Sequence, residues 1–174
     1  MNTRVLVSLA LLVGIGAVLH AVIPGIFFGM KPDMMLTMMF LAILLFPNVK
    51  TAGLVGIVTG VISAMTTGFP GGQVPNIIDK IITAFVFFAF VCLLKKYGQT
   101  VVSAAILTAV GTVISGTIFL TAALLFAGLP GGATFSALFL TVVLPATAIN
   151  TIVMVIIYPI VSAIFKRMNI TVHV

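Results

Sequence analysis

The sequence predicts an all-α membrane protein, a bundle of six transmembrane helices with both termini in the cytoplasm. Three observations carry that prediction. Of 174 residues, 62% are hydrophobic and 6% charged, with a mean hydropathy of +1.42, a composition foreign to water-soluble domains. The apolar residues gather into runs near the length that crosses a hydrocarbon core. The charged side chains fall between or outside those runs, except Asp79 and Lys80 at the head of the fourth.

The first run, Val5–Ile23, follows Arg4 and imitates a signal peptide. It is too long for one and lacks a small-residue cleavage site, so it is expected to stay as helix 1. The second, Met34–Phe46, is short, because about 22 Å of helix fits between Pro32 and Pro47. The preceding "IPGIFFG" (Ile23 to Gly29) must therefore descend into the membrane or fold over the bundle, which makes it a candidate lid. Ala52–Phe69 gives helix 3 and ends in "FPGG"; Ile77–Leu94 gives helix 4; Val101–Ala127 gives helix 5 and is followed by "LPGG". The two Pro-Gly-Gly endings hint at a parallel internal repeat. Helix 6, Phe135–Phe165, would be about 46 Å long against a hydrocarbon core of about 30 Å, so it must tilt, kink or emerge. Pro145 removes a backbone donor and invites the kink, Asn150 puts an amide near membrane depth, and Pro159 lies towards the cytoplasmic end. No linker divides the chain, so residues 1–174 read as one membrane domain.

Orientation follows the basic residues of the short loops. With the N-terminus inside, Arg4, Lys50, Lys95, Lys96, Lys166 and Arg167 are cytoplasmic, while Lys31 and Lys80 share the outer side with Asp33 and Asp79. The net charge of +6 is thus a membrane-topology signal and not a nucleic-acid footprint; the expected surroundings are lipid. The lone Cys92 permits no internal disulfide.

Chemistry is excluded more readily than assigned. No phosphate-binding loop, no His/Cys cluster and no Ser/His/Asp set is present, and His20 and His173 are the only histidines. Catalysis, a metal and a cofactor are not expected, so active transport would draw on an ion gradient or another subunit. Small residues recur at spacings of three and four on helix 3 (Gly56, Gly60, Ser63, Ala64, Thr67) and helix 5 (Thr108, Gly111, Thr112, Ser115, Gly116). Such stripes let helices approach closely and read as packing seams.

The stretch "GMKPDMMLTMMF" (Gly29 to Phe40) is the candidate ligand site. Met34, Met35, Met38 and Met39 fill one arc of about 140°, a soft surface for an aromatic shape. Lys31 and Asp33 beside it could hold a zwitterion, although Asp33 after Pro32 also suits a helix N-terminus, as does Asp79. Both acids are expected near the outer surface, with no ionisable residue deeper in the helices, which argues against proton coupling.

At these residues the chain resembles a known family. "GMKPDMML" with His20 and Pro24 upstream, "FPGGQVPNIIDK", "SGTIFL", "GLPGG" and "VLPATAINTIVMVIIYPIV" together resemble the TrpP-type tryptophan transporters over Val5 to Phe165. In length, helix number and orientation the chain is also similar to the S-components of energy-coupling factor (ECF) transporters. The resemblance implies a multi-pass protein of the bacterial cell membrane that binds tryptophan or a related aromatic amino acid. The zwitterion would meet Lys31 and Asp33 or Asp79, the indole N–H would meet Gln73, Asn76 or Asn150, and the ring would meet Met and Phe. It further implies an ECF coupling protein with two ATPase subunits, docked on an Ala-x-x-x-Ala surface of helix 1. Ala10 with Gly14 is the cytoplasmic-side equivalent here and Ala17 with Ala21 the deeper one; Gly14 departs from the pattern but keeps the surface small. Two other readings stay open, a stand-alone ion-coupled secondary transporter and a non-transport membrane protein such as an assembly factor.

Overall fold

Five of the six helices begin at a side chain that accepts a hydrogen bond from its own first turn: Asn2, Asp33, Asn48, Thr100 and Thr134. Each satisfies a backbone donor that the helix itself leaves orphaned. The computed structural model describes residues 2–23, 32–94 and 100–168. Its helices are α1 (Thr3–Val22), α2 (Met34–Leu45), α3 (Val49–Met65), α4 (Gln73–Leu94), α5 (Val101–Phe126) and α6 (Phe135–Arg167), with a 3₁₀ turn at Pro130–Gly132. Residues 24–31, which hold most of the candidate lid and Lys31, lie outside the described residues, as do Lys95, Lys96 and the tail after Met168.

Four helices, α1, α4, α5 and α6, are long and apolar enough to cross a membrane. Only 33% of the most apolar stretch of α1, α4 and α5 is buried, and 22% of that of α6, so most of their Leu, Ile and Val side chains face outward. Asp79, Lys80, Thr83, Thr112, Ser115 and Asn150 meanwhile sit inside. Such an exterior suits lipid and not water, and the chain is a multi-pass helical membrane protein.

The short α2 is the hub of the bundle. All twelve of its residues are buried, and it packs against α1, α3, α4, α5 and α6. A helix apolar on every side is stable either against lipid or enclosed by protein, and here its neighbours enclose it. Because neighbours cover it, α2 need not match the bilayer thickness, and the short run between the two prolines is sufficient. The close seams are glycines. On α3, a Cβ at Gly56 would lie 2.8 Å from Ala84 Cβ of α4. On α5, a Cβ at Gly111 would lie 2.8 Å from Phe40 and 2.9 Å from Phe87, whose rings stack at 4.0 Å.

Helix α6 meets its proline with a change of helical form. Phe139–Val143 forms a π-helical turn, with the Leu144 N–H donating to the Phe139 carbonyl, and a regular α-helix resumes at Leu144 with Pro145 in its first turn. A proline in an unbroken helix lacks a donor and crowds the carbonyl four residues earlier, here that of Thr141. One extra residue in the turn re-aims that carbonyl, so the kink expected from Pro145 takes the form of a π bulge. The bulge packs into a second apolar cluster with Phe69, Phe119, Leu120 and Leu138, separate from the main core around α2. The two Pro-Gly-Gly motifs adopt different turns: Gly71 alone has positive φ in the first, Gly131 and Gly132 both do in the second.

Candidate functional site

Asp33 is placed by the start of α2, and its two oxygens have different partners. Oδ1 accepts from the Leu36 N–H at 3.0 Å, closing the cap, while Oδ2 lies 2.7 Å from Lys80 Nζ. The same ammonium donates to Asp79 Oδ2 at 2.6 Å. Asp79 is held in turn by two hydroxyls, Thr83 Oγ1 at 2.8 Å on its own helix and Ser115 Oγ at 2.9 Å on α5. His20, in the last turn of α1, brings Nδ1 to 3.6 Å from Asp33 Oδ1. Asp79 and Lys80 are each 1% exposed. Charges taken out of water persist only when paired and hydrogen-bonded, and every carboxylate oxygen of this cluster has a donor.

This cluster forms one wall of a cavity of about 90 Å³. Apolar side chains line it as well: Phe69 and Phe119, packed edge to face at 5.2 Å, with Val142, Val143 and Ala146 of α6. Asn76 and Asn150 also line the cavity and differ sharply. Asn76 Nδ2 donates to the Gly72 carbonyl at 2.8 Å, back within its own helix entry. Asn150 is fully buried, and neither its Nδ2 nor its Oδ1 has a partner among the described residues; the same holds for Thr112 Oγ1 on α5. The cavity thus combines paired charges, aromatic and aliphatic side chains and an amide with no partner among the described residues, the mix of apolar surface and few polar groups common to small-molecule sites.

Of the candidates read from the sequence, Asp33, Asn76, Asp79 and Asn150 come together around this cavity. Met34, Met35 and Met38 do not line it. They are buried in the bundle, and Met35 and Met38 close over Gly16 of α1, where a Cβ would lie 3.2 Å and 3.1 Å from them. The methionine arc has no free face because α2 is enclosed all round. Gln73 is exposed at the start of α4, away from the cavity, and Lys31 lies outside the described residues. The partner of Asp33 among the described residues is Lys80. Asp79 and Lys80, expected at the outer end of their helix, are enclosed within the bundle. On α1, Ala10, Gly14 and Ala21 are exposed and Ala17 is half-buried; a Cβ at Gly14 would meet nothing within 4 Å. Sequence reasoning did not assign Lys80, His20, Thr112, Ser115, Phe69 or Phe119 to the site. For Thr112 and Ser115 a signal existed, since polar members of a small-residue stripe can face a ligand as well as a helix.

Comparisons with known proteins agree with one another. A family model described as "Tryptophan transporter TrpP" matches residues 2–166. A probable tryptophan transport protein of Bacillus subtilis (strain 168) is 58% identical over 167 residues, covering 96% of this chain and 95% of the relative. Proteins with the same description from Clostridium acetobutylicum and Clostridium perfringens are 48% identical over 158 residues and 41% identical over 175 residues. These alignments cover 91% and 95% of both partners respectively. No solved structure matches the chain.

Proposed function

Because this chain belongs to the TrpP family of tryptophan transporters, we propose that it captures tryptophan in the cavity between the Asp33–Lys80–Asp79 cluster and the α5–α6 wall. We further propose that it serves as the substrate-binding S-component of an ATP-driven ECF transporter, with a coupling protein and two ATPase subunits as partners. The observation that carries the binding reading is the cavity itself, lined both by buried, paired charges and by Phe69, Phe119 and Val143. A zwitterion is neutral overall, so it can exchange partners with a charge cluster without adding to the buried charge. Its ammonium takes Asp33, its carboxylate takes Lys80, and Asp79 remains held by Thr83 and Ser115. The ring then lies against Phe69 and Phe119.

A cavity of about 90 Å³ is smaller than the roughly 150 Å³ that admits benzene, so binding must widen it. The wall suited to give way is the π turn of α6, where Val142 and Val143 face the cavity and the helical ladder is already interrupted. The test is equilibrium binding of labelled tryptophan to the purified protein. Asp33→Asn should weaken it by about 2 kcal/mol, the cost of stranding a buried charge partner. Unchanged affinity in that variant, with folding intact, removes the charge cluster from the site.

A second reading, a stand-alone transporter driven by a proton or sodium gradient, draws on the same cluster, since ionisable groups enclosed within membrane helices often mark ion pathways. Uptake measured with and without co-expressed ATPase and coupling subunits separates the two. Dependence on those subunits supports the S-component; uptake without them, abolished by dissipating the gradient, supports the second.

A further inference from the structure

We propose that the carboxamide of Asn150 receives the ring N–H of the bound substrate, so that this one side chain separates tryptophan from ligands of the same shape without a ring donor. The inference rests on the proposed binding of tryptophan and adds to it the residue that sets specificity. Three features of the site lead to it.

Asn150 is 0% exposed, lines the cavity, and has neither amide atom hydrogen-bonded among the described residues. Buried amides are almost always satisfied, and one that is not calls for an explanation in function. Asn76 shows how cheaply an asparagine at the same cavity satisfies itself, with one bond to a backbone carbonyl four residues away. The second feature is position. The charged groups that would hold the amino-acid moiety come from the start of α2 and from α4, and they are already cross-bonded. Asn150 stands on α6, in register with Ala146, Val143 and Val142, the apolar wall left to the ring. Ser115, on the neighbouring α5, is committed to Asp79. The third feature is chemical. An indole has one polar atom, an N–H that can only donate, and the Oδ1 of Asn150 is an acceptor without a donor.

The test compares two ligands on the unmodified protein, tryptophan and the alanine derivative of benzothiophene, in which sulfur replaces the ring N–H with nearly the same outline. Competition against labelled tryptophan should show the sulfur analogue weaker by about tenfold or more, because it leaves the Asn150 oxygen buried and unpaired. In Asn150→Leu, tryptophan should weaken while the analogue does not, bringing the two within about twofold. Equal affinity of the two ligands on the unmodified protein overturns the inference and leaves tryptophan binding standing. An Asn150→Leu variant that folds and weakens both ligands alike also overturns it, since the amide would then serve the amino-acid moiety or the bundle. Failure of the unmodified protein to bind tryptophan overturns the proposed function, and this inference with it.

Discussion

Replacing Lys80 with methionine keeps most of the apolar stem and removes the one cation, among the described residues, that touches both Asp33 and Asp79. In the intact protein the ammonium sits 2.7 Å from one carboxylate and 2.6 Å from the other, with its side chain 2% exposed. Breaking a buried pair by deleting one partner costs about 3–5 kcal/mol, most of it the penalty of the charge left behind. Here one deletion strands two carboxylates whose oxygens had converged on a single nitrogen, so the upper part of that range applies. For a chain of this size, a loss of about 4–5 kcal/mol corresponds to a fall in melting temperature of about 8–20 °C, readable by thermal unfolding in detergent. The sharper assay is a pair of variants. Adding Asp79→Asn to Lys80→Met removes one stranded charge but leaves Thr83 and Ser115 a polar group to bond, so the double variant should be more stable than Lys80→Met alone. The exposed Lys50→Met is the control. If Lys80→Met melts no lower than Lys50→Met, or if the second substitution simply adds its own cost, the three charges do not act as a unit and the account of the site fails.

Gly111→Ala should destabilise the bundle by about 1–3 kcal/mol, because the new methyl meets the stacked Phe40 and Phe87 rings, whereas Gly14→Ala, with nothing within 4 Å, should leave the melting temperature unchanged. In a background with the native Cys92 replaced, a cysteine at Gln73 should react with an impermeant thiol reagent on intact cells and one at Lys50 should not; the reverse pattern overturns the charge-based orientation. Ala10→Leu and Gly14→Leu enlarge the exposed small-residue face of α1, and in cells carrying the coupling and ATPase subunits they should depress uptake while binding to the purified protein is retained. Normal uptake in both variants removes that face as the docking surface.

The helices were legible because hydrophobic run length and proline or capping residues are local signals. All six expected runs are helices, and the main departures are at ends such as Ala52 against Val49 and Ile77 against Gln73, where a cap or first turn carries polar residues that a hydropathy reading omits. Less legible was what each helix faces. A short helix with four methionines on one arc looks amphipathic in softness, yet Met34, Met35, Met38 and Met39 are as buried as Phe40 and Leu44 on its other sides. Enclosure depends on how many neighbours a helix has, and no property of the twelve residues reports that number.

The charge cluster shows the same limit from the opposite direction. Adjacent residues on a helix point about 100° apart, so Asp79 and Lys80 look unable to pair and read as two groups at a polar helix end. What the spacing omits is the lysine stem. Cβ of Lys80 lies 3.4 Å from where a Cβ on Gly60 would stand, so the missing side chain on α3 leaves a path for the stem. The ammonium then reaches back to Asp79 and across to the cap of α2. Gly60 therefore does more than bring two helices together: a larger residue there would crowd the stem of the cation on which both carboxylates depend. The small-residue stripe of α3 and the charge cluster, separate features in the sequence, meet in the fold where Gly60 lies against Lys80.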